Sequence, residues 1–244
     1  MSRDSREDRC SAIAVALGLS VLLAACNDDL GVPQLISPLP AEATGSVHTT
    51  RALEIHFRWT SVSRATRYEL TIDDSCVGAS SCDFPSPELS SFPEEAEFVV
   101  RDGRLPVSQQ APVGRRYYWR ARACAEERCG LWSSARYVDV GRQRQDFNGD
   151  GFADLVVSAQ QPPYAGVFVY FGGVQRATTP GWTARGNTVT EAFGSVVWAG
   201  DMDGDGFSDL ALLHSSDADD PSGQAVALRV YRGGERRSPP PPWN

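Results

Sequence analysis

The sequence predicts an all-β protein, a β-sandwich followed by a pair of repeated β units. Two observations carry this. Between residues 53 and 140, apolar and polar residues alternate with period two in short runs separated by Pro, Gly and Ser turns. Beyond residue 146, a nine-residue segment rich in Asp and Gly occurs twice, and each copy leads into a short apolar run.

The N-terminus reads as an export signal over residues 1–25. Ser11 to Ala25 are almost wholly apolar and uncharged. That run is shorter than the roughly 20 residues a membrane-spanning helix needs, and it suits a secretory signal. Leu23-Ala24-Ala25-Cys26 resembles a bacterial lipobox. The resemblance implies cleavage before Cys26 and lipidation of its sulfur, which makes a membrane the first expected partner. Several acyl chains hold a protein stably where one does not. Asn27 after the cysteine points to the outer membrane. Residues 26–45, with Pro33, Pro38 and Pro40, read as a tether.

The sandwich is expected over residues 46–141. Leu53, Ile55, Phe57 and Trp59 share one face, against Glu54, His56 and Arg58 on the other. Tyr68, Leu70 and Ile72 repeat the pattern, as do Ala96, Phe98 and Val100, and then Tyr117, Trp119, Ala121 and Ala123. Gly130 to Val140 closes the series. Trp59, the Ala65-to-Tyr68 lead-in, and Tyr117 to Ala123 before Trp132-Ser133-Ser134 resemble a fibronectin type III domain. That family serves as a spacer or binding module.

Setting aside Cys10 and Cys26, four cysteines remain: Cys76, Cys82, Cys124 and Cys129. An even count in an exported chain reads as disulfides. Three pairings are open. The local one, Cys76–Cys82 with Cys124–Cys129, is preferred because each pair brackets an expected hairpin loop. A zinc site is disfavoured by the spacing and the lack of a nearby His.

The repeats are expected over residues 142–244. Asp146-Phe147-Asn148-Gly149-Asp150-Gly151-Phe152-Ala153-Asp154 precedes Leu155-Val156-Val157. Asp201-Met202-Asp203-Gly204-Asp205-Gly206-Phe207-Ser208-Asp209 precedes Leu210-Ala211-Leu212. Tyr170-Phe171-Gly172-Gly173 matches Tyr231-Arg232-Gly233-Gly234, and Pro180 to Thr183 matches Pro241 to Asn244.

Calcium takes six to eight oxygens, and acidic or amide side chains at positions 1, 3 and 5 of a tight turn can converge on it. Glycine at position 6 permits the bend. The expected ligands are therefore Asp146, Asn148, Asp150 and Asp154, with the Phe152 carbonyl, and Asp201, Asp203, Asp205 and Asp209, with the Phe207 carbonyl. Four carboxylates against three predict tighter binding at the second loop. Val157 and Leu212 stand where an EF-hand needs a bidentate Glu, and the flanks are β-like, so that motif is excluded. Magnesium is disfavoured by its reluctance to shed water.

The repeat resembles the FG-GAP, or VCBS-like, repeat of integrin α propellers and bacterial surface proteins. The second copy carries Phe193-Gly194 upstream of its loop, whereas Val138 to Gly141 stands there in the first. The resemblance implies four-stranded blades whose connecting loop calcium braces. About two partial blades are expected where propellers close with roughly four to eight. The expectation is therefore a truncated or split gene product, or blades completed by another chain.

No catalytic constellation emerges. The three His are scattered, there is no serine elbow or nucleotide loop, and the two Asp loops lack a nearby base. Trp182, Trp198 and Trp243 are expected to pack rather than to stack on sugars. A net charge of −8 argues against nucleic acid, whose phosphates require a basic surface. The reading is a non-enzymatic, calcium-binding surface lipoprotein acting in adhesion or on a protein or glycan ligand. The alternative is an accessory or truncated module of an extracellular hydrolase, and a third reading is a degraded gene.

Overall fold

Period-two alternation becomes two facing sheets between Leu35 and Val140. The computed structural model describes residues 30–39, 42–44, 48, 54–101, 103–159, 166–185, 192–215 and 226–234. The expected signal, the lipidated Cys26, and Trp243 lie outside the described residues. No helix among the described residues is long and apolar enough to cross a membrane.

The sandwich strands, in chain order, are β1 (Leu35–Ser37), β2 (Glu42–Thr44), β3 (Glu54–Trp59), β4 (Arg67–Asp73), β5 (Leu89–Ser91), β6 (Glu97–Arg101), β7 (Arg115–Ala125), β8 (Arg128–Cys129) and β9 (Arg136–Val140). One sheet runs β1-β3-β6. The other runs β2-β9-β7-β4-β5, with β8 paired to β7. This is the two-sheet order of a fibronectin type III-like sandwich.

The predicted faces turn inward. Ile55, Phe57, Trp59, Leu70, Ile72, Tyr117, Trp119, Ala121 and Ala123 form one core with Val138 and Val140. Trp119 packs edge-on against Phe57 at 5.0 Å between ring centroids. Each such large side chain contributes about 1.5–3 kcal/mol through burial.

The segment expected to be tether joins the sandwich. Leu35 is buried in β1, which pairs with β3, and β2 pairs in parallel with β9 at Glu42↔Val138. Both disulfides follow the local pairing, Cys76–Cys82 and Cys124–Cys129. The second sits opposite itself in the β7–β8 hairpin.

Two three-stranded antiparallel sheets follow: β10 (Leu155–Ala159), β11 (Gly166–Tyr170) and β12 (Trp182–Arg185), then β13 (Ala192–Gly200), β14 (Asp209–Ser215) and β15 (Val226–Tyr231). They share a second core. Val167, Val169, Trp182 and Ala184 of the first meet Leu210, Leu212 and Tyr231 of the second. Trp182 packs 5.1 Å from Phe147 and 5.3 Å from Tyr231, so it is a packing residue, as expected.

The first repeat lacks the strand that precedes the loop in the second. Its counterpart, Val138 to Val140, is the end of β9, hydrogen-bonded to β7 in the sandwich. The sandwich therefore runs straight into the first Asp loop.

Candidate metal centre

Each Asp loop folds around its own first residue. In the first loop, Asp146 accepts from Asp150 N at 3.1 Å and Gly151 N at 2.7 Å. In the second, Asp201 accepts from Gly204 N at 2.8 Å and Gly206 N at 3.0 Å. The glycines at position 6 have positive φ, 87° at Gly151 and 98° at Gly206, the left-handed region expected of that bend. A Cβ on Gly206 would also lie 2.8 Å from Pro112.

Positions 3 and 5 then turn toward position 1. Carboxylate oxygens of Asp201, Asp203 and Asp205 lie within 4.8 Å of one another. In the first loop, Asn148 Oδ1 and Asp146 Oδ1 converge on the same N–H, that of Asp150, and Asn148 Nδ2 donates to Asp150 Oδ2 at 2.8 Å. Phe152 N and Phe207 N, at position 7, donate at 2.9 Å to Asp150 and Asp205 respectively. In the second loop this oxygen-rich convergence fits a hard divalent cation, whereas the three carboxylates of the first loop, Asp146, Asp150 and Asp154, do not gather this closely.

Position 9 does something the sequence did not reveal. Asp154 accepts from Phe147 N and Gly172 N, both at 2.7 Å. Asp209 accepts from Met202 N at 2.8 Å and Gly233 N at 3.0 Å. Each carboxylate thus ties the start of its loop to the Gly-Gly turn that follows the repeat's next tyrosine. Asp209 is not one of the three converging carboxylates of its loop.

Burial sets the electrostatics. Asp146, Asp154 and Asp209 are buried. Burial, with Asp150 and Asp154 nearby, pushes the Asp146 carboxyl up to about 7. Burial also raises Asp154, Asp205 and Asp209 above the usual carboxylate range. Carboxylates that resist ionising together are the groups a bound cation relieves.

The two loops touch each other and the sandwich. Ser208 N donates to the Asp146 carbonyl at 2.8 Å, and Gly234 N to the Phe147 carbonyl at 2.6 Å. Val113 N, in the loop before β7, donates to the Gly149 carbonyl at 2.9 Å. His48 stacks on Phe152 at 4.0 Å, and its Nε2 donates to the Asp150 carbonyl at 2.7 Å.

Three arginines also reach the second loop. Arg116 of β7 grips Asp139 with two bonds of 2.9 Å and lies 3.1 Å from Asp201 Oδ2. Arg142 donates to the Gly206 carbonyl at 3.0 Å. Arg232 Nε stands 3.1 Å from Asp203 Oδ2. Sequence reasoning missed these residues and His48. Only Arg232 left a signal, since it breaks the match with Phe171 in the first repeat.

Glu69, Cys124 and Cys129 also lie close together. Both cysteines are in a disulfide and Glu69 pairs with Arg122 at 2.6 Å, so this is no metal site.

Residues 146–212 match the family model described as an FG-GAP-like repeat. The match begins on Asp146 of the first loop and runs through the second loop into β14. No curated protein matches the chain. Among solved structures, one titled FN3tt is similar at 14% identity, covering 47% of this chain and 98% of its own, with a TM-score of 0.29. The FN1-FN3 domains of chicken CNTN1 are similar at 11% identity, covering 83% of this chain and 67% of theirs, with a TM-score of 0.32. At those TM-scores the sandwich rests on its own strand pairing.

Proposed function

We propose that this protein is a non-enzymatic, calcium-binding surface lipoprotein acting in adhesion or ligand binding. The observation that carries the reading is the convergence of Asp201, Asp203 and Asp205 within 4.8 Å, in a loop that repeats one already present at Asp146–Asp154. Calcium at these loops braces the turns that connect the strands and stiffens the junction with the sandwich. The sandwich is the spacer, and the repeat surface presents the contact to a protein or glycan. Two disulfides agree with export, since such bonds persist in oxidising compartments. The Cys26 anchor would hold the protein to the bacterial envelope, at the outer membrane.

Calorimetric titration of the purified protein with calcium tests the metal. Saturable binding is expected, reduced by Asp150→Ala and by Asp205→Ala. No binding at millimolar calcium would overturn the reading.

A further inference from the structure

The two loops differ in what already neutralises them. In the second, Arg232 stands 3.1 Å from Asp203, and Arg116 stands 3.1 Å from Asp201. Arg116 is clamped by Asp139, so it is fixed in place rather than swinging through solvent. In the first loop, no ion pair among the described residues reaches Asp146, Asp150 or Asp154. There, Arg232 is replaced by Phe171, which packs against the blade core.

Five carboxylates, with Asp139 counted beside its partner Arg116, against the three guanidinium groups of Arg116, Arg142 and Arg232 leave the second loop about two negative charges, against about three for the first when all its acids are ionised. On that balance alone, the electrostatic advantage passes to the first loop. Like charges a few Å from a divalent ion oppose its binding, while opposite charges relieve an empty acidic loop.

We propose that Arg232 and Arg116 are resident cations of the second loop, holding its carboxylates when metal is absent and making it the weaker, exchangeable calcium site. The first loop, with no such arginine among the described residues, is the tighter site and the one whose order depends on metal. This rests on the calcium reading above and assigns the two sites different roles: one structural, one responsive to ambient calcium.

Calcium titration calorimetry on the full chain tests it, with melting in chelator as a check on folding. Two phases are expected. Asp150→Ala removes the tighter phase and Asp205→Ala the weaker. Arg232→Gln, at a half-exposed side chain, tightens the weaker phase by about tenfold and lowers the melting temperature in chelator. Arg232→Lys, which keeps the charge, leaves both near the parent. Loss of the tighter phase in Asp205→Ala overturns the proposal, as does a weaker phase indifferent to Arg232→Gln, and in either case the calcium reading stands. Absence of any calcium binding in the parent sinks both.

Discussion

Asp154 Oδ1 accepts the N–H of Gly172 at 2.7 Å, and Asp209 Oδ1 accepts that of Gly233 at 3.0 Å. The last acidic residue of each loop is therefore a brace to the Gly-Gly turn. This explains why Tyr-x-Gly-Gly recurs with the loop. The brace requires close backbone approach. A Cβ on Gly172 would lie 2.2 Å from the Ala153 carbonyl oxygen, and one on Gly233 would lie 2.6 Å from the Ser208 carbonyl oxygen.

Gly172→Ala and Gly233→Ala should therefore each destabilise the protein, by about 1–3 kcal/mol. Gly78→Ala is the control, because its Cβ would meet Ser81 Oγ only at 3.4 Å. Urea unfolding distinguishes them. Equal stability of all three variants would show that the brace is not under tension.

In chelator, stability should fall between about pH 4 and pH 7. Asp146 is raised in the fold from 3.8 to about 7, chiefly by burial. A raised group contributes stability that is complete below its unfolded value and lost as pH rises through its folded value. Asp73 has the opposite sign. Burial works to raise it, but bonds from Ser75 and Ser86 outweigh that and hold it below 3.8, so its contribution is lost only under more acidic conditions. Melting in chelator across pH 5–8 should show the decline, and Asp146→Asn should flatten it. Saturating calcium should restore stability at the alkaline end by linkage.

The sandwich carries a stack that is independent of metal. The Arg120 guanidinium lies 4.1 Å from the Phe84 ring and 4.3 Å from the Trp132 ring, and Arg122 lies 4.4 Å from Trp132. Trp132→Ala should cost about 1–3 kcal/mol through two lost cation–π contacts and the lost packing. Its effect should be the same with calcium or chelator. A calcium-dependent cost would place Trp132 in the repeat's energetics instead.

Much of this was legible in the sequence for physical reasons. Ile55, Phe57 and Trp59 turn inward because a strand's side chains alternate, and the core excludes the other face. The Asp loops were legible because turn chemistry is local: glycines at fixed offsets, acids between them. The rest depended on contacts distant in sequence. β1 and β2 are three-residue strands among prolines, and only their pairing with β3 and β9 makes them part of the sandwich. β9 reads equally well as the end of a sandwich or the start of a blade, and its bonds to β7 decide. Arg116 lies in the sandwich, with the rest of that domain and the whole first repeat between it and Asp201, so no spacing rule joins them.

Whether the two loops hold metal is decided by anomalous diffraction from crystals grown with calcium and then exchanged with terbium. One peak is expected among Asp146, Asn148 and Asp150, and another among Asp201, Asp203 and Asp205. The second peak should fade first on washing. Crystals with neither peak, their acidic side chains facing solvent, would show that the loops bind no cation.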